Sequence, residues 1–92
     1  MEDSRTHLVI EGKVQGVFYR ASAKEKADLL GLSGYVRNLN NGSVEVIAEG
    51  KHEDINQLIE WCWTGPANAR VTDIKITFSP SIGEFHNFHI QY

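Results

Sequence analysis

The residues best suited to chemistry lie in one glycine-bearing stretch between a strand-like run and a helical pattern. It extends from Gly12 to Arg20 and reads Gly-Lys-Val-Gln-Gly-Val-Phe-Tyr-Arg. A turn from a strand into a helix exposes backbone N–H groups at the positive end of the helix dipole, where anions bind. Two glycines let the backbone curl around a ligand, and Arg20 adds a planar cationic group. The spacing alone is equally typical of an ordinary strand–helix connection that ends in a surface arginine.

A second candidate, Asn38, ends a short strand-like run that begins at Gly34. The dipeptide Asn41-Gly42 follows closely and predicts a hairpin turn. Asparagine is common next to turns because its side chain bonds to the local backbone. The residue type by itself therefore favours a structural role for Asn38, and only a second observation can make it a site residue.

The elements that must position these residues follow from hydrophobic periodicity and turn residues. The predicted strands cover residues 6–13, 34–38, 43–49, 69–79 and 85–92. The predicted helices cover about 22–30 and 53–64, and the first could begin one or two residues earlier. Ser22 and Glu25 have the spacing of a capping box at the start of the first helix, and Gly31 is placed to end it.

The second predicted helix carries an apolar stripe that consists of Ile55, Leu58, Ile59 and Cys62. We expect Trp63 on the flank of this stripe and Trp61 on the other side of the helix. The only cysteine, Cys62, cannot form an internal disulfide. Its place on the stripe predicts a buried thiol in a cytoplasmic protein.

This order of elements predicts an α+β protein with a ferredoxin-like βαββαβ sandwich. Its antiparallel sheet would have four or five strands, with both helices packed on one face. A chain of 92 residues is too short for two independent cores, so residues 1–92 are predicted to form a single domain. Many unrelated functions use this fold, so it does not identify an activity.

Composition and missing motifs exclude several classes of function. The net charge is −3, whereas nucleic-acid-binding surfaces are usually basic, and no apolar run has the length of a membrane span. The stretch from Gly12 to Arg20 lacks the Gly-Lys-Ser/Thr ending of a Walker A loop. Asn68, and not an arginine, stands where a Cys-x5-Arg phosphatase loop starting at Cys62 would end. The four histidines show no helical pairing, so we expect no metal site.

The clearest signal is a pair of motifs that occur in a fixed order. The first is Gly12-x-Val14-Gln15-Gly16-Val17-x-x-Arg20, and the second is Gly34-Tyr35-Val36-Arg37-Asn38-x3-Gly42-x-Val44-x5-Gly50. With Trp63-Thr64-Gly65-Pro66 and the segment from Asn87 to Tyr92, they resemble the acylphosphatase family over nearly the whole chain. One position departs from the family pattern. Tyr19 stands where phenylalanine or methionine is usual, and its hydroxyl group needs a partner if the ring is buried.

The resemblance implies hydrolysis of the carboxyl-phosphate bond of small acyl phosphates to a carboxylate and inorganic phosphate. It makes Arg20 and Asn38 the catalytic residues, with Asn38 orienting the attacking water. The implied phosphate-binding loop consists of Gln15, Gly16, Val17, Phe18, Tyr19 and Arg20. No metal, cofactor or covalent intermediate is implied, and inorganic phosphate, sulfate or chloride is expected to occupy the loop when supplied. We further expect a cytoplasmic monomer without nucleic-acid or membrane partners.

Two other classes of function stay open on the sequence alone. The first is a non-catalytic anion-binding module of the same fold, which would bind phosphate and leave acyl phosphates intact. The second is a domain that breaks down carbamoyl phosphate within a larger assembly. Such domains normally belong to long multidomain chains, so a chain that ends at Tyr92 makes this class less favoured.

Overall fold

The structure, a computed structural model, describes residues 3–92 and contains five strands and two helices. The strands are β1 (Asp3–Lys13), β2 (Ser33–Asn38), β3 (Val44–Lys51), β4 (Arg70–Pro80) and β5 (Phe88–Ile90). The helices are α1 (Tyr19–Leu29) and α2 (His52–Thr64). The order of these elements matches the one that the hydrophobic pattern predicts. Within residues 3–92, no helix is long and apolar enough to cross a membrane.

The five strands form one sheet in the spatial order β4-β1-β3-β2-β5. The ferredoxin-like class is confirmed, but the sheet is mixed rather than purely antiparallel, because β5 pairs parallel with β2. The path of the chain explains this pairing. β4 ends at Pro80, opposite Ser4 near the start of β1, and the chain then crosses to the start of β2, where Gly34 pairs with Phe88. A strand that begins at this end of the sheet runs in the same direction as β2.

The core lies between one face of the sheet and the two helices. Alternate residues of the three central strands are fully buried there, among them Leu8, Ile10, Val36, Val44 and Val46. The buried helical residues include Ala23 and Ala27 of α1 and the predicted stripe of α2, Ile55, Leu58, Ile59 and Cys62. Burial raises the pKa of the Cys62 thiol to about 12, so this side chain behaves as a small apolar residue.

The first helix begins earlier than predicted. It begins at Tyr19 rather than near Ser22, and the residue that flanks it is Phe18, so Ser22 and Glu25 form no capping box. The cause is the burial of Tyr19, which extends the apolar stripe of α1 by one turn towards its N-terminus. Two residues of the predicted phosphate loop, Tyr19 and Arg20, therefore belong to the first turn of α1.

The two tryptophans of α2 have exchanged roles relative to the prediction. Trp61 packs against the core, with its ring centre 5.4 Å from that of Tyr19, whereas Trp63 is exposed. The early start of α1 explains the exchange, because it brings the Tyr19 ring to the side of α2 on which Trp61 lies.

The last strand is shorter than the predicted 85–92, and only Phe88–Ile90 pairs with β2. The preceding residues, 81–87, cross the sheet on the face opposite the helices. There Glu49 accepts hydrogen bonds from the Arg5 guanidinium at 3.0 Å and from the Ile82 N–H at 3.0 Å. Desolvation alone would raise the pKa of Glu49, but these bonds outweigh it, and the pKa lies below its ordinary value. The crossing segment is thereby fixed, and it delivers β5 to the edge of the sheet beside β2.

Candidate active site

The segment between β1 and α1 is tightly curved. Gly16 and Phe18 have positive φ angles of 76° and 65°, and Val17 between them does not. Alternation of this kind aims successive N–H groups towards one side and forms a concavity that binds anions. Glycine adopts a positive φ at little cost, but in a residue with a side chain it costs roughly 1–2 kcal/mol. Phe18 is the only non-glycine residue with a positive φ in the described part of the chain.

The backbone N–H groups of this segment are free of protein partners. From Gln15 to Arg20, none of them donates a hydrogen bond to another group of residues 3–92, and the Ser22 N–H is the first to bond, to the Phe18 carbonyl at 3.1 Å. The first turn of α1 also contains no acidic residue that would neutralise the positive end of the helix dipole. Free donors and an uncompensated dipole together favour the binding of an anion.

Arg20 adds a full positive charge at the same place. It is the second residue of α1, and it forms no ion pair with an aspartate or glutamate of the described residues. Its guanidinium carbon lies 5.0 Å from the centre of the Tyr92 ring. Such a cation–π contact uses the flat face of the guanidinium, so its N–H edge can still bind two oxygens of a phosphoryl group.

Asn38 is the last residue of β2 and pairs with Val44 of β3. Its side-chain oxygen Oδ1 is buried and accepts no hydrogen bond, and it is the only such buried side-chain polar atom within residues 3–92. A buried acceptor without a partner costs about 1–3 kcal/mol, so it calls for a functional explanation. An oxygen of this kind can hold a donor such as a water molecule.

One cavity of about 280 Å³ joins the two parts of the predicted site. Its walls come from the loop, the first turn of α1, the end of β2 and the end of the chain. The lining residues are Val14, Gly16, Phe18, Tyr19, Arg20, Ala21, Asn38, Ile90 and Tyr92. Arg20 and Asn38 therefore face the same space, although eighteen residues separate them in the sequence.

Two residues of the predicted phosphate loop do not line this cavity. Val17 is buried in the core, and the Gln15 side chain points towards the β2–β3 turn, which consists of residues 39–43. The Nε2 group of Gln15 donates hydrogen bonds to the carbonyl oxygens of Leu39 at 2.8 Å and Ser43 at 2.9 Å. Both N–H bonds of this carboxamide are thereby used, and they tie the loop to the turn that follows Asn38.

The Tyr19 hydroxyl group finds the partner that its burial requires. It donates to the Cys62 carbonyl oxygen at 2.6 Å. That carbonyl lacks its usual helical partner, because the residue four positions later is Pro66, which has no N–H. Burial raises the pKa of Tyr19, so the hydroxyl group stays protonated and remains a donor. Tyr19 thus anchors the start of α1 to the end of α2.

Sequence reasoning missed part of the cavity wall. Ile90 and Tyr92 line it, and their residue types carried no signal of a site. The parallel pairing of β5 with β2 brings them to the end of the sheet that holds Asn38, and nothing local to residues 88–92 encodes that pairing. In the part of the chain that the structure describes, no group of three or more histidine, cysteine, aspartate or glutamate residues could hold a metal ion.

Known proteins match this chain over nearly its whole length. A family model described as Acylphosphatase matches residues 6–90. A protein named acylphosphatase from Pelotomaculum thermopropionicum is 39% identical over 92 residues, which cover 100% of both chains. Another, from Methylococcus capsulatus, is 49% identical over 86 residues and 94% of both chains. The crystal structure of acylphosphatase from Bacillus subtilis has a TM-score of 0.94 at 35% identity, over 97% of this chain and 99% of that one.

Proposed function

This chain belongs to the acylphosphatase family and hydrolyses acyl phosphates, and from that premise we propose roles for its site residues. Arg20 and the backbone N–H groups of residues 15–20 bind the phosphoryl group, and Asn38 orients the attacking water. The observation that carries this proposal is the buried, unpartnered Oδ1 of Asn38 in the cavity that Arg20 also lines. A module that only bound an anion would need donors, whereas a hydrolase also needs an acceptor for its water.

The phosphoryl group meets three kinds of positive charge. Free N–H groups of the loop surround its oxygens, the dipole of α1 points its positive end at them, and the Arg20 guanidinium binds two of them. In a loose, metaphosphate-like transition state the negative charge stays on these oxygens. Donors fixed in advance around them stabilise that state without reorganising.

The reaction requires positioning more than proton transfer. The water oxygen bonds to phosphorus while the bond from phosphorus to the carboxylate oxygen breaks, and the carboxylate leaves with the electron pair. Both protons of the water end on the phosphate, which is released as dihydrogen phosphate. A carboxylate is a weak base, so it leaves without a general acid. Asn38 does not titrate, and it acts by holding the water in line with the breaking bond.

Gln15 has a positioning role in this scheme. Its side chain is saturated by the Leu39 and Ser43 carbonyl groups, and so it cannot donate to a ligand at the same time. Instead it fixes the distance between the phosphate loop and the turn that follows Asn38. The backbone N–H of Gln15 therefore binds the phosphoryl group. Its side chain helps to position Asn38, which orients the attacking water.

The test is hydrolysis of benzoyl phosphate in the presence of EDTA, with inorganic phosphate as inhibitor. For Asn38→Ala we expect kcat to fall about 10²–10³-fold, because the water is no longer held, while phosphate inhibition changes less than about threefold. Asn56→Ala, at an exposed position of α2, is the matched control and should retain wild-type kcat. A parallel loss of phosphate inhibition in Asn38→Ala would make Asn38 a phosphate ligand and contradict the water-orienting role.

Several properties of the protein stay predictions from the sequence. Residues 1–92 are predicted to form a single domain, of which residues 1 and 2 lie outside the described part, and phosphate, sulfate or chloride is predicted to occupy the loop. The protein is also predicted to be a cytoplasmic monomer without a nucleic-acid or membrane partner.

A further inference from the structure

Two exposed aromatic rings stand at the mouth of the active-site cavity. Phe18 is 81% exposed and Tyr92 is 96% exposed, and both line the cavity that holds Arg20 and Asn38. Ile90 adds apolar surface to the same wall. Apolar side chains that are exposed together at the rim of a site are a common means of binding the apolar part of a ligand.

Neither backbone conformation nor packing accounts for phenylalanine at position 18. Its φ and ψ angles of 65° and 23° lie in the left-handed region, which bulky residues avoid and which glycine or asparagine adopts more readily. Its ring is outside the core, so burial does not compensate for this conformation. A bulky residue in the left-handed conformation whose side chain is not part of the core is typical of functional sites. We therefore expect the Phe18 side chain to contact a ligand.

The position of the ring identifies the part of the substrate that it contacts. Phe18 directly precedes α1, whose first N–H groups bind the phosphoryl group under the proposed function. The acyl group is joined to phosphorus through one bridging oxygen, so it extends from the loop towards the cavity mouth. Arg20 is the only residue with a charged side chain among the cavity-lining residues of the described chain, and its guanidinium is engaged by the phosphoryl group. The acyl group therefore meets side chains that are uncharged and largely apolar.

We propose that Phe18, together with Ile90 and Tyr92, forms a subsite for the acyl group that favours acyl phosphates with apolar and above all aromatic acyl groups. An aromatic acyl group can contact the Phe18 and Tyr92 rings in offset or edge-to-face geometry. An acetyl group is too small to do so, and an acyl group with a second carboxylate finds no further cation in the wall. This inference rests on the proposed function of the loop, because that function places the acyl group at the cavity mouth.

The experiment measures kcat/KM for benzoyl phosphate and for acetyl phosphate and compares their ratio between variants. Phe18→Asn removes the ring and keeps a residue that tolerates the left-handed conformation, and we expect the ratio to fall about tenfold. Phe18→Tyr restores an aromatic ring and should keep the ratio within about twofold of the wild type. Changes in the loop backbone affect both substrates alike and cancel in the ratio.

Leu29→Asn is the matched control, because Leu29 is also a large exposed apolar residue but lies at the other end of α1. It should leave both activities unchanged. If the ratio of kcat/KM values for the two substrates is unchanged in Phe18→Asn, the proposal of the subsite is wrong. The proposal is also wrong if the ratio falls equally in Leu29→Asn. If Phe18→Asn does not fold, Phe18→Gly carries the same test.

The outcomes also separate this inference from the function on which it rests. An Arg20→Lys variant that hydrolyses both substrates at the wild-type rate contradicts the proposed function of the loop. If the wild type hydrolyses both substrates and Phe18→Asn has the same ratio of kcat/KM values for benzoyl and acetyl phosphate, only the proposal of the subsite is contradicted.

Discussion

The phosphate loop and the β2–β3 turn lie at the same end of the sheet, but they are held in opposite ways. The turn closes on itself: the Leu39 N–H donates to the Ser43 carbonyl at 2.8 Å, and the Gly42 N–H donates back to the Leu39 carbonyl at 3.2 Å. The loop makes no such bonds within residues 3–92 and is fixed by the buried side chains beneath it, which are Val14, Val17 and Tyr19.

The difference fits the roles that we propose for the two connections. A loop that is anchored by buried side chains keeps its N–H groups free for the oxygens of a phosphoryl group. A turn that satisfies its own backbone holds the end of β2, and with it Asn38, in one place. The Gln15 side chain joins the two connections through its hydrogen bonds to the Leu39 and Ser43 carbonyl groups.

The largest effect is expected from Arg20→Lys on the loop side of this comparison. A lysine keeps the charge but cannot bind two oxygens in one plane, so kcat/KM should fall by roughly 10²–10³-fold. The matched control is Arg37→Lys, because Arg37 lies next to Asn38 in sequence but pairs with Glu45 at 2.6 Å. Near-normal turnover of Arg20→Lys in steady-state kinetics would show that the guanidinium fork is not needed.

A smaller effect is expected from Gln15→Met, which cuts the connection between loop and turn. The new side chain has a similar size but no donor, so the turn and Asn38 lose their tie to the loop and kcat should fall about tenfold. Unfolding in urea should also show a loss of about 1–2 kcal/mol in the free energy of unfolding.

The control for this variant is Gln57→Met, which replaces an exposed glutamine of α2. A purely structural role of Gln15 would lower the free energy of unfolding and leave kcat at the level of Gln57→Met when both are assayed well below their melting temperatures. That result would remove Gln15 from the site.

The smallest effect is expected from Tyr19→Phe, which tests the anchoring of the loop from beneath. It leaves the buried Cys62 carbonyl without a donor, so the free energy of unfolding in urea should fall by about 1–2 kcal/mol. Tyr35→Phe is the control, since the Tyr35 hydroxyl donates at 3.1 Å to Glu45, which His7 and Arg37 also contact. If the free energy of unfolding falls equally in the two variants, the Tyr19 hydrogen bond stabilises the protein no more than that of Tyr35 does.

The fold and the placement of Arg20 and Asn38, the two residues proposed for catalysis, could be predicted because their signals are local. Strand alternation and the stripe of α2 set the layers, and the motifs around Arg20 and Asn38 each occupy one short connection. The structure then brings Arg20 and Asn38 to one cavity, as the pair of motifs implies.

The remaining features depend on contacts between segments that are distant in sequence. The Gln15 side chain reaches a carbonyl 24 residues away, and the Tyr19 hydroxyl reaches one 43 residues away. Neither partner is recognisable from residue type, because each acceptor is a backbone oxygen. The exchange of Trp61 and Trp63 and the parallel pairing of β5 have the same origin, since both follow from how distant elements meet.

The central claim is that the loop binds the phosphoryl group through its free N–H groups while the turn does not take part. Titration of the ¹⁵N-labelled protein with inorganic phosphate, followed by amide chemical shifts, tests it most directly. We predict that the amides of residues 15–20 shift most and saturate with one dissociation constant, that those of residues 39–43 shift far less, and that Asn38→Ala shows the same constant. The largest shifts at the turn, or no saturable shift in residues 15–20, would contradict the claim.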